Sequence, residues 1–165
     1  MKILIIALGR TGSTSLLFRL AEENDLTVIM EPKKRSEYRE DESNIIIKTL
    51  IWQVPENEDP ETWFKYLISK FDKTILLTRK DLKGLTESLS YYRYHKHNGF
   101  FSNTPYLWEK TPNYNEIESL VIKSNEMLFK LGQDSCINIS YYEDLFKDSM
   151  DERLRLGNIN KRTLI

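Results

Sequence analysis

The chain predicts an α/β fold, a three-layer sandwich with a central parallel sheet, and three observations point there. Short apolar runs alternate along the 165 residues with stretches whose apolar positions recur at helical spacing. The first run, Ile3-Leu4-Ile5-Ile6-Ala7-Leu8, has no polar interruption, as expected of a strand covered on both faces. It then breaks into a glycine-containing turn and a helix, the connection by which parallel strands are joined.

The elements follow in order. From about Ser13 to Glu23, Leu16, Leu17, Leu20 and Ala21 lie at helical spacing behind hydroxyl residues suited to capping, which predicts the first crossover helix. Leu26 to Met30 reads as a short buried strand ending at Glu31-Pro32, and Asn44 to Lys48 as another. The charged stretch between them, Lys33 to Glu42, reads as a solvated, mobile loop. Pro60 and Glu61 open a helix carrying Trp63, Phe64, Tyr66, Leu67 and Phe71, and Lys73 to Thr78 is a further buried strand. A helix from about Asp81 to Tyr94, an aromatic loop, a helix from about Tyr114 to Leu131 and a last strand near Cys136 to Ser140 complete the alternation.

Composition bounds the function. The length suits one domain, residues 1–165, without repeat, low-complexity tract or linker. Lys and Arg total 24 against 25 Asp and Glu, so no overall basic field argues for nucleic acid or an anionic membrane, and any anion binding is local. The single cysteine, Cys136, reads as a buried strand residue and has no partner for an internal disulfide. No stretch approaches the length of a membrane span, and the first apolar run is too short for a signal peptide. These features lead to the expectation of a cytoplasmic protein with no nucleic-acid or membrane partner.

The chemistry begins at Gly9-Arg10-Thr11-Gly12-Ser13-Thr14-Ser15. Glycines let the backbone turn tightly and approach a ligand, and the helix that follows aims its free N–H groups at an anion. A kinase-type phosphate loop needs a lysine directly after its second glycine, and here Ser13 stands there. The cation precedes the glycine, as Arg10, among hydroxyls at 11, 13, 14 and 15. This arrangement resembles the 5′-phosphosulfate loop of sulfotransferases that use 3′-phosphoadenosine 5′-phosphosulfate (PAPS).

Further segments are similar to the same family. Ile75-Leu76-Leu77-Thr78-Arg79-Lys80-Asp81 with Ser88 resembles its 3′-phosphate motif, in which a strand-end arginine and a helical serine grip the phosphate. Arginine suits that task because its planar fork bonds phosphate oxygens in pairs. The interval is one longer than the family's commonest, at which Lys80 stands, and the Arg-Arg-Asp start of trehalose-type sulfotransferases favours Arg79. Ile45 to Gln53, with Lys48-Thr49 and Trp52-Gln53, is similar to the trehalose-type enzymes. Leu50 stands where cytosolic members carry their general-base histidine, and His95 and His97 read as surface residues. Glu31-Pro32 resembles the acidic acceptor-site position of carbohydrate and trehalose-type members; Glu31 reads equally as a proton acceptor or as a charge opening an exposed loop. Trp108 to Tyr114 is similar to a Golgi-type motif but follows Ser88 instead of preceding it, so Lys110 is a secondary candidate. Ser140-Tyr141-Tyr142-Glu143-Asp144-Leu145 resembles a structural block after the last core strand. The family's C-terminal loop over the donor is represented at most by Arg153 to Gly157.

The resemblance, spanning Lys2 to about Lys147, implies a P-loop NTPase-like fold and a PAPS-dependent sulfotransferase acting on a hydroxyl or amine of a small-molecule or carbohydrate acceptor. It implies catalytic roles for Arg10, Lys48 and Glu31. Gly9, Arg10, Thr11, Gly12, Ser13, Thr14, Ser15, Arg79 and Ser88 are the implied donor-binding residues, with no metal. Two rival readings are a nucleotide-dependent small-molecule kinase and a non-catalytic nucleotide-binding protein of the same frame. Trp52, Tyr91, Tyr92, Tyr94, Phe100, Phe101, Tyr106 and Trp108 are expected either at the acceptor mouth or in ordinary core.

Overall fold

The computed structural model describes residues 1–98 and 113–146, and the side chains of 91–98 are not part of that description. Phe100, Phe101, Tyr106, Trp108, Lys110 and Arg153 to Gly157 therefore lie outside the described residues, as do the side chains of Tyr91, Tyr92, Tyr94, His95 and His97. The elements are β1 (Lys2–Ala7), α1 (Ser13–Asn24), β2 (Thr27–Met30), a 3-10 turn (Arg35–Tyr38), β3 (Ile45–Leu50) and α2 (Pro60–Lys70). They continue with β4 (Lys73–Thr78), α3 (Leu82–Asn98), α4 (Tyr114–Ser135), β5 (Ile139–Tyr141) and α5 (Tyr142–Leu145). Strands pair in the order β2-β3-β1-β4-β5, and every pairing is parallel.

Alternation along β1 builds the layers. Leu4, Ile6 and Leu8 enter the core beneath α2, α3 and α4, with Trp63, Phe64, Leu67, Leu85, Val121 and Leu128. Ile3, Ile5 and Ala7 point the other way and meet Leu16, Leu17 and Ala21 of α1. The sheet thus lies between helical layers, the expected three-layer α/β architecture. Among the described residues, no helix is long and apolar enough to cross a membrane.

Four expectations need correction. β2 is not buried: it is the sheet edge, where Met30 is 53% exposed, because only β3 pairs with it. Residues 33–42 are not simply a solvated loop. Tyr38 in the 3-10 turn is fully buried, its ring meets Trp63 edge-on at 5.0 Å, and its hydroxyl shares a 3.1 Å hydrogen bond with Thr49. Cys136 is exposed and ends α4 in the left-handed conformation (φ 54°), because the helix runs four residues beyond Leu131 and the strand starts later. The hydroxyls before α1 do not cap it: Gly12 is the N-cap, and Ser13, Thr14 and Ser15 fall inside the first turn.

Candidate functional site

Parallel strands bring all their carboxyl ends to one edge, so the segments after β1, β2, β3 and β4 converge there. The loop after β1 is tightly wound. Arg10 and Gly12 both have positive φ (64° and 71°), and the Thr11 hydroxyl, fully buried, donates to the Leu8 carbonyl at 2.7 Å. Gly12 heads α1, and among the described residues no side chain caps that helix, so its first N–H groups face the turn as an anion site requires. Within the loop, Gly9, Thr11 and Ser13 are buried, whereas Arg10, Thr14 and Ser15 are exposed.

Both glycines lie beneath aromatic rings. A Cβ on Gly12 would meet Tyr142 Cδ2 and Cε2 at 2.8 Å and Phe146 Cε2 at 2.9 Å. A Cβ on Gly9 would meet Trp52 Cη2 and Cζ2 at 3.0 Å, which brings Trp52 to the rim of the loop. Arg10 reaches across to α3, its Nε donating to Ser88 Oγ at 3.3 Å.

A polar cluster lies on the β2–β3 side. Lys48 shares a strand face with Ile46, and its side chain is only 4% exposed along the sheet. The ammonium forms an ion pair with Glu31 and donates to Thr14 Oγ1 at 3.3 Å. Glu31 sits at φ 51° with its N–H bonded to the Lys48 carbonyl at 2.7 Å, continuing the parallel register in which Met30 faces Lys48. Gln53 donates through Nε2 to the other Glu31 oxygen at 3.3 Å, while its own Oε1 accepts the Leu50 N–H at 3.2 Å. Two of the three predicted catalytic residues, Lys48 and Glu31, are thus in direct contact, and Lys48 also meets the Thr14 hydroxyl.

On the β4 side, Arg79 and Ser88 make separate contacts. Ser88 accepts from Arg10, and Arg79 lies over the Tyr142 ring at 5.1 Å with its Nε 3.7 Å from Glu143 Oε1. Lys80 pairs with Asp144 at 2.6 Å, which raises its pKa; its side chain is 54% exposed against 19% for Arg79, so Arg79 is the more enclosed of the two candidate cations. Burial opposes ionisation of Glu143, but the N–H groups of Lys80 and Asp81 and the Arg79 guanidinium hold its carboxyl below the usual carboxylate range. Among the described residues, no group of three or more His, Cys, Asp or Glu side chains is arranged to hold a metal ion.

No family model and no curated protein matches the chain. Among solved structures, it is similar to the crystal structure of the YorR protein from Bacillus subtilis in complex with phosphorylated GDP. The alignment covers 97% of this chain and 100% of that one, with 11% identity and a TM-score of 0.51. The two share an α/β fold.

Two participants escaped the sequence reading. Gln53 was visible only as half of a Trp-Gln pattern, and its bond to Glu31 depends on a turn after β3 that strand periodicity does not describe. Glu143 sat in a block read as structural. Its place beside Arg79 follows from β5 pairing with β4, in which Tyr141 lies opposite Thr78.

Proposed function

We propose that this chain is a sulfotransferase that moves the sulfuryl group of PAPS to a hydroxyl or amine of a small-molecule or carbohydrate acceptor. The observation that supports it most is the Lys48 ammonium, placed between Thr14 of the anion loop and the Glu31 carboxylate. An ammonium has three donors, so Lys48 is able to hold both partners and still meet a ligand oxygen. In the proposed reaction a bond forms between the acceptor oxygen and sulfur while the bond from sulfur to the 5′-phosphate oxygen breaks. The acceptor proton passes to Glu31, and adenosine 3′,5′-bisphosphate departs. Arg10 and Lys48 would neutralise the charge on the leaving phosphate, the role a metal ion takes in a kinase. N–H groups of residues 10–15 would hold the 5′ end of the donor, with Arg79 and Ser88 assigned to the 3′-phosphate.

A kinase or a non-catalytic nucleotide-binding protein is the second reading, favoured by the phosphorylated GDP bound to YorR. The missing lysine after Gly12 counts against a kinase. Calorimetric titration with adenosine 3′,5′-bisphosphate, ADP, and ATP or GTP with and without Mg²⁺ separates them. Metal-independent binding that needs the 3′-phosphate and is lost in Arg79→Ala is the expected result. A preference for ATP or GTP with Mg²⁺ refutes the sulfotransferase reading, and donor binding without turnover on any acceptor selects the non-catalytic one.

A further inference from the structure

The short helix α5 touches both halves of the proposed donor site. Tyr142 and Phe146, stacked at 4.9 Å, close over Gly12 of the anion loop, and Arg79 lies over the Tyr142 ring. Glu143, between them in sequence, accepts the Lys80 N–H at 3.0 Å through Oε2 and the Asp81 N–H at 3.3 Å through Oε1. Oε1 also lies 3.7 Å from Arg79 Nε, an atom that is buried and makes no hydrogen bond among the described residues. A guanidinium on three methylenes is free to swing unless something fixes it. Here its Nε edge faces a carboxylate that is itself pinned by two backbone donors, and one planar face rests on an aromatic ring.

We propose that Glu143 is a positioning residue. It holds Arg79 over the Tyr142 ring, so that the terminal amino groups are set to receive a second phosphate of a bound nucleotide, and α5 fixes the separation of that phosphate from the anion loop. This rests on the reading of Arg79 as a 3′-phosphate receptor. A carboxylate that only shaped the β4–α3 turn would support all nucleotides alike, whereas an aligner of Arg79 acts on the second phosphate alone.

The test compares adenosine 3′,5′-bisphosphate with adenosine 5′-monophosphate by calorimetry on the full chain. Glu143→Gln retains an acceptor for a backbone N–H and is expected to weaken the bisphosphate about tenfold while leaving the monophosphate unchanged. On an Arg79→Ala background the same change is expected to add nothing. Equal loss for both ligands, no loss, or tighter bisphosphate binding in Glu143→Gln each overturns the proposal.

A ligand-free measurement separates this inference from the nucleotide reading. The Arg79 Nε–H resonance, assigned by its disappearance in Arg79→Lys, is expected to exchange with water slowly and at least about tenfold faster in Glu143→Gln. Unchanged exchange refutes the alignment whatever the protein binds. Altered exchange in a protein that does not discriminate the two nucleotides refutes instead the assignment of Arg79 to a 3′-phosphate.

Discussion

Replacing Gly12 by alanine tests the construction of the anion loop most directly. Gly12 has φ 71°, a left-handed conformation that costs an L-residue roughly 1–2 kcal/mol. The added methyl would stand 2.8 Å from Tyr142 and 2.9 Å from Phe146, closer than real carbon contacts, so the stacked pair must move. Overpacking of this kind costs roughly 1–3 kcal/mol. Together the two effects destabilise by about 2–5 kcal/mol, and a chain of this size loses roughly 2–4 °C of Tm per kcal/mol, so a fall of about 4–20 °C is expected in scanning calorimetry. Gly9→Ala is the control. Its methyl would meet Trp52 at 3.0 Å without the left-handed penalty, so its fall in Tm should be clearly smaller. A Gly12→Ala protein melting within about 2 °C of the parent, or no lower than Gly9→Ala, would refute the reasoning.

Two further predictions concern stability. Tyr38→Phe removes the hydroxyl that meets Thr49 in the buried layer and should cost about 1–2 kcal/mol by chemical denaturation with an unchanged m-value; an unaltered midpoint would show that the bond does not anchor residues 33–42. Glu61, bonded by Lys130 and Lys65, has its pKa lowered to about 2, so its contribution is present above the ordinary value of 4.5 and is lost as pH falls from there towards 2. Acid titration of Tm should therefore be shallower in Glu61→Gln over that interval, and superimposable curves would show that this exposed cluster contributes nothing measurable.

Legibility in the sequence followed the range of the interactions. β4 lies where it was expected, Lys73 to Thr78, because the apolar Ile75-Leu76-Leu77 flanked by β-favouring threonines needs no tertiary information. β3 continues to Leu50, two residues beyond its expected end, because a lysine reads as a boundary when its stem is able to lie along a sheet with the ammonium at the rim. Apolarity likewise did not distinguish the edge strand β2 from a central one, since strand order is a property of pairing and not of composition. The site divides in the same way. The glycine turn between β1 and α1 is local and was readable, whereas the contact of Thr14, Glu31 and Lys48 needs the register that sets Met30 opposite Lys48. Ser88 meets Arg10 through a contact between helix α3 and the loop after β1, which no spacing rule encodes.

The strand order also sets a timetable for assembly. Ile3 in the central strand pairs with Ile46 and Lys73, so β1 has no neighbour until long intervening segments have been closed. Such non-local pairing is slow, and an unbroken apolar segment waiting for partners is exposed to self-association in the nascent chain. The rings that cover Gly12 come later still, from residues 142 and 146, after β5 has joined the edge of β4. The covered glycine loop thus joins segments from opposite ends of the described residues, and any ligand that requires it distinguishes completed molecules from those that have only collapsed.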